Sequence, residues 1–79
     1  DEYFARIHPD DRALARAAAV RTVTTGEPYA IHVRVPMADG TLRHVHARAR
    51  VVRDADGRVV GLAGSGQDVT ERRAAELAL

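Results

Sequence analysis

The chain contains no cysteine and no tryptophan, every basic residue is arginine, and a single methionine and a single phenylalanine occur among its 79 residues. Each absence closes a class of function. Without cysteine there is no disulfide framework, no thiolate zinc site and no thiol nucleophile. Serine occurs once, as Ser65 between glycines, and no Ser-His-Asp or paired-carboxylate arrangement emerges from the spacing, so the segment is not expected to be an enzyme. The run Gly61-Leu62-Ala63-Gly64-Ser65-Gly66 lacks the Lys-Ser/Thr step of a phosphate-binding loop. No apolar run approaches the roughly 18 residues of a membrane span, and the acidic start has no leader-like apolar stretch, so a cytoplasmic location is expected. Residue 1 is not methionine and is expected to be a cut inside a longer polypeptide. Aromatic residues make up only 4% of the chain, as Tyr3, Phe4 and Tyr29. A domain near this size buries only about 60% of the surface its unfolded chain exposes, so so few rings predict a core that is not self-sufficient.

What is present is strongly patterned. His8-Pro9-Asp10-Asp11-Arg12 marks a helix start, with Pro at the first helical position and two carboxylates at the positive end of the helix dipole. His8 is expected to be a capping or surface residue. An Ala-rich helix is predicted over 9–25, with Leu14, Ala17, Ala18 and Arg21 on one face and Ala13, Val20 and Val23 beside it, stopped by Gly26. From Glu27 the period becomes two, and strands are predicted over 28–37, 41–53 and 58–66. Ala38-Asp39-Gly40 and Ala55-Asp56-Gly57 join them, with Asp39, Gly40, Asp56 and Gly57 as the turn residues of three-residue bulged loops. That loop length pairs Val33 with Val45, Ile31 with Ala47 and Tyr29 with Ala49, whereas a loop one residue shorter sets Val33 opposite His46. The expected result is an antiparallel meander of three strands. A last helix is predicted over 69–79, with Asp68 as its cap and Glu71 completing a capping box.

In this order and at these spacings, the motifs form one pattern: Ile7-His8-Pro9-Asp10-Asp11-Arg12, Gly26-Glu27-Pro28-Tyr29, Val33-Arg34, Asp39-Gly40, Arg43-His44-Val45, the run from Val52 to Val60, Gly64, and Asp68-Val69-Thr70-Glu71-Arg72-Arg73. Together they closely resemble the C-terminal part of a PAS sensor domain with its PAC motif, over nearly the whole chain. The resemblance implies an α+β fold, a five-stranded antiparallel sheet with helices on one face. This chain would supply one long helix, the three-stranded meander and the start of an output helix, and so be incomplete relative to the full fold. It also implies a sensory role in signal transduction: binding a small ligand or mediating dimerisation. A conformational change would be relayed through Asp68, Thr70 and Glu71 to a C-terminal output domain such as a histidine kinase or a cyclic-dinucleotide enzyme. The family's first two strands and short helices are missing here, and His44 stands where many members carry Trp.

Ile31, Val33, Val45, Ala47, Ala49, Gly61 and Ala63 are placed on the apolar face of the meander as ligand-pocket candidates. Their small size either leaves a hollow or admits the Ala-rich helix more closely. No bound cofactor is expected, and this segment supports neither haem nor flavin. His32, His44 and His46 share the opposite face with Arg34, Arg48 and Arg50, whose charge repels a cation, so no metal site is expected. Val52, Val60 and Leu62 are placed on that face as an interface candidate. It offers no aromatics for base stacking and the net charge is only +1, so no nucleic-acid partner is expected. A small Arg-rich nucleic-acid-binding domain and a purely structural dimerisation module remain the alternatives. Uncovered apolar surface and unpaired sheet edges predict a homodimer, by exchange of elements or by direct packing.

Overall fold

The computed structural model describes residues 2–78. The elements run α1 (Glu2–Ala5), α2 (Pro9–Thr25), β1 (Tyr29–Pro36), β2 (Leu42–Arg53), β3 (Val59–Asp68) and α3 (Thr70–Leu77). Leu79, the end of the last predicted helix, lies outside the described residues. Helix α2 begins where its first orphan amides find acceptors: His8 is the N-cap, its Nδ1 accepts from the Asp10 amide at 3.1 Å, and Pro9 occupies the first turn without a donor to satisfy. It ends at Gly26, whose φ of 80° is left-handed and whose amide donates to the Thr22 carbonyl at 2.8 Å. The single turn α1, which carries no clear signal in the sequence, is held against α2 by Arg12. Its Nε donates to the Ile7 carbonyl at 3.0 Å and its Nη2 to the Ala5 carbonyl at 3.1 Å.

The strands form one antiparallel sheet in the order β1-β2-β3. Between β1 and β2 the register is Tyr29 to Ala49, Ile31 to Ala47 and Val33 to Val45, the pairing that the three-residue loop requires. In that loop Met37 donates its amide to the Thr41 carbonyl at 2.8 Å, and Asp39 Oδ1 accepts from the Thr41 amide and hydroxyl at 3.0 and 2.6 Å. The second loop has the same length, closed by the Asp54 amide donating to the Arg58 carbonyl at 2.9 Å. Here the accepting carboxylate is that of Asp54, which takes the amides of Asp56 and Arg58 at 2.9 and 3.0 Å. Asp56 contributes its amide to this turn, because position 54, unlike the equivalent Met37, carries the acceptor.

One irregularity redirects the third strand. Arg53 pairs with Val59, but its neighbour Val52 pairs with Gly61, so Val60 is an extra residue forming a β-bulge. Beyond it Val51 faces Leu62, Ala49 faces Gly64, Ala47 faces Gly66 and Val45 faces Asp68. Because side chains alternate with period two, one inserted residue moves every later one to the other side of the sheet. Gly61 and Ala63, placed by uninterrupted alternation on the apolar face, therefore lie on the outer face opposite Val52 and Arg50. Leu62, placed on the outer face, lies on the apolar one.

The core is small. Ile7, Ala15 and Val33 are buried, with Phe4, Ile31 and Val45 packed against them. In α2 the buried positions are Ala15 and Thr22, while Leu14 and Val20 are 52% and 64% exposed. The face turned to the sheet is thus the one carrying Asp11, Ala15 and Thr22, not the one centred on Leu14. An ion pair fixes that rotation. Arg34 of β1 donates its amide and Nε to Asp11 Oδ2 at 2.8 and 2.9 Å and its Nη2 to Oδ1 at 2.8 Å, while its carbonyl accepts the His8 amide at 2.7 Å. Both backbone groups of Arg34 are thereby occupied at the edge of the sheet, which blunts that edge. The Arg34 guanidinium and amide lower the Asp11 carboxyl from 3.8 to about 2. A depressed carboxyl contributes stability that is fully present above its unfolded value and lost as pH falls through the folded one. Asp11→Ala is expected to cost about 1 kcal/mol, or about 4–8 °C in thermal midpoint. The gap from the unsubstituted protein should close on acidification from 3.8 towards about 2, as followed by circular dichroism.

Candidate functional site

The bulge gives the apolar face of the sheet a floor of very small side chains. Ala47, Ala49, Gly64 and Gly66 lie at the base of an open cavity of about 660 Å³, walled by Phe4, Ile7, Val33, Val45 and Leu62, with Ala19 of α2 along one side. That volume falls within the usual range for a small-molecule pocket, about 300–1,000 Å³, and the lining is mostly apolar as such sites are. Of the sequence candidates, Val33, Val45, Ala47 and Ala49 line it. Ile31 packs on the core and lines a separate groove between α2 and β1. Gly61 and Ala63 face away. The floor residues Gly64 and Gly66 and the wall residue Leu62 are missed by alternation alone, because the only signal that would place them is the bulge. A Cβ on Gly64 would stand 2.7 Å from the Arg48 carbonyl oxygen and 3.2 Å from the Ala49 Cβ. One on Gly66 would stand 3.1 Å from Val45 Cγ1, and one on Gly61 would meet nothing within 4 Å.

Where the sheet hands over to α3, three charged groups converge. Arg43 of β2 donates Nε to Asp68 Oδ2 at 2.7 Å and Nη2 to both carboxylate oxygens of Glu71 at 2.9 and 3.1 Å. Asp68 Oδ1 accepts the Thr70 amide at 2.9 Å, the Thr70 hydroxyl accepts the His44 amide at 2.8 Å, and the Val69 amide donates to the His44 carbonyl at 2.8 Å. The predicted capping box is therefore not what forms. The N-cap position is Val69, with no side-chain cap, and Asp68 lies one residue earlier in an Asx turn. Glu71, instead of reaching back to the Asp68 amide, takes the guanidinium, since a charge-assisted bond to Arg43 is the stronger one. Hydrogen bonds first from Arg43 and then from Thr70 hold the Asp68 carboxyl far below the ordinary carboxylate range. Arg43 lowers Glu71 as well, and the two carboxylates raise the Arg43 guanidinium. Sequence reasoning singled out Asp68, Thr70 and Glu71 but gave no role to Arg43. The signal for it is register: Arg43 lies two residues from Val45, which pairs with Asp68.

On the outer face, Val52 is half-buried and Val60, the bulge residue, is 63% exposed, while Leu62 has left the group for the cavity. Among the described residues no three or more His, Asp or Glu side chains gather as a metal-binding group, and no helix is long and apolar enough to cross a membrane.

This helix-backed antiparallel meander, with an apolar hollow on one face and an ion-paired exit into a following helix, has the arrangement of part of a PAS fold. The sequence model of the PAS fold family matches residues 1–65, and the chain belongs to that family. It is 30% identical over 67 residues to an uncharacterised protein of Sinorhizobium fredii, y4lL, a match covering 85% of this chain and 8% of that protein. Among solved structures it is similar to a sensory box histidine kinase/response regulator of Burkholderia thailandensis, with 32% identity and a TM-score of 0.74 over 92% of this chain and 56% of that one. It is also similar to the N-terminal domain of a diguanylate cyclase with PAS/PAC sensor from Marinobacter aquaeolei, with 25% identity and a TM-score of 0.79 over 91% of this chain and 66% of that one. The chain thus spans about half of the Burkholderia chain and a small fraction of the Sinorhizobium protein. It is a PAS segment of the kind found in signalling proteins.

The bulged register makes the strand glycines unequal. Gly64→Ala is expected to destabilise by about 1–3 kcal/mol through the clash on the cavity floor, and Gly61→Ala to change stability by less than about 0.5 kcal/mol. Urea unfolding midpoints check this, and equal effects at the two positions would contradict the register.

Proposed function

We propose that this chain is a non-catalytic, cytoplasmic sensory module that passes a change at the sheet to an output domain following α3. A histidine kinase or a cyclic-dinucleotide enzyme fits that output role, as in the proteins whose PAS domains it resembles. The observation that carries the reading is the Arg43 clamp, in which one guanidinium on the central strand holds both the end of β3 and the first turn of α3. A displacement of β2 or β3 has no route past it that leaves Asp68 and Glu71 both paired. The cavity is the place for the signal, taken either as a small apolar ligand or as the surface of a second copy closing over it, with no prosthetic group required. The 63% exposure of Val60 and the position of β3 at the sheet edge support a homodimer as part of this reading.

Arg43→Gln is expected to lower hydrogen-exchange protection of the α3 amides while leaving the β1–β2 pairing protected. In the parent protein it should uncouple output from signal without abolishing basal output. Unchanged α3 protection together with unchanged signal response would exclude the relay. Native mass spectrometry with an absorption spectrum reads the rest. A dimer carrying no chromophore is the expected result, and a compact monomer at micromolar concentration would remove the dimer from the proposal.

A further inference from the structure

On the outer face of the sheet, away from the cavity, His32 of β1 and His44 of β2 lie with their rings parallel. The planes are 6° apart and the centroids 5.0 Å apart. His32 Nε2 and His44 Nδ1 are separated by 2.9 Å, so one ring donates and the other accepts. His44 is also the residue to which α3 is fastened: its carbonyl accepts the Val69 amide and its amide donates to the Thr70 hydroxyl, both at 2.8 Å. We propose that the His32–His44 pair is a proton-sensitive latch on α3, closed while the two rings share a hydrogen bond and opened when both are protonated.

The chemistry follows from the donor count of imidazole. Two neutral rings, or one neutral and one protonated, can supply a donor and an acceptor to the 2.9 Å contact; two imidazolium rings present two donors and two like charges. The surroundings favour the closed state near neutrality. Arg34 on β1 and Arg73 on α3 face His32 with positive charge, and His46 lies directly across from it on β2. The opposing charge, Asp11 of α2, is already engaged in its fork with Arg34. Burial, then Arg73, then His44 lower His32 below its ordinary 6.5. The stabilisation supplied by neutral His32 is therefore complete above 6.5 and is lost as pH falls through the lower folded value. The charge of Arg73 on α3 opposes a proton on His32, and His44 carries the backbone groups that hold the start of that helix, so the repulsion falls on the two residues nearest the attachment.

The latch concerns only the seating of α3, and its test needs no output domain, so it stands or falls apart from the relay reading. Exchange of the Val69 and Arg73 amides, corrected for intrinsic pH dependence, is measured at about pH 7.5 and about pH 5, either side of the imidazole range. Protection is expected to fall by about fivefold at the lower pH, the scale of one lost hydrogen bond, while the amides pairing β1 with β2 keep theirs. In His32→Phe, which keeps a flat ring but cannot titrate, α3 protection should not vary between the two pH values. Independently of any variant, ¹⁵N shifts of the ring nitrogens should show a second protonation step that coincides with the loss of α3 protection. Protection that is the same at both pH values, an equal fall in His32→Phe, or a second step that leaves α3 protected would each overturn the proposal.

Discussion

The extra residue at Val60 is the constraint on which the rest of the molecule depends. Counting back from Asp68 through Gly66 and Gly64 to Leu62, every second residue of β3 faces the cavity only because the bulge shifts the pairing between Val52 and Arg53. Were Val60 paired with Val52 in a regular ladder, with no bulge, the floor would carry Ala63, Ser65 and Gln67, two of them polar, against Ala47 and Ala49. Asp68 would also point away from Arg43, and the fastening of α3 would be lost together with the hollow. The cavity and the clamp are thus set by a single backbone irregularity between them and the second turn, which links sensing surface and exit by geometry alone.

Arginine provides the fastenings of both helices, from neighbouring rungs of the β1–β2 ladder. At Arg34 the partner is Asp11 in the first turn of α2, and at Arg43 the partners are Asp68 and Glu71 around the start of α3. Each contact uses two nitrogens, Nε and Nη2, of one planar guanidinium, a fixed spacing that a lysine ammonium does not reproduce. In a chain with so few rings, orientation of the helices comes from these directional bonds, and apolar burial among the described residues is limited to the cluster of Ile7, Ala15 and Val33 together with Ala47, Ala49 and Val69. The outer-face arginines Arg48 and Arg50 serve neither helix.

Much of the fold was legible in the residues. Pro9 with Asp10 and Asp11 announced α2, Gly26 its end, and the two Ala-Asp-Gly turns the meander, because each of these rests on local backbone chemistry. The β1–β2 register followed from loop length, since the wrong loop buries His46. Three things were not legible, for a common physical reason: each depends on residues distant in sequence. The bulge at Val60 leaves no mark in a short glycine-rich strand whose two faces are both small. The rotation of α2 is decided by Asp11 finding Arg34, so that Ala15 rather than Leu14 turns inward. The role of Glu71 was settled by competition, a nearby amide losing to the guanidinium of Arg43.

Helix α3 buries none of its own residues, and its seat consists of Val69 and a set of hydrogen bonds and ion pairs to β2. Lifting it off would expose little apolar surface beyond Val69, so the heat-capacity change of detachment would be small. The folded domain as a whole has a stability that curves with temperature, while the seating of α3 has one that changes along a nearly straight line. Ionic strength, which screens the exposed pairs, is then a second variable, beside pH, that tunes the helix without loosening the sheet beneath it.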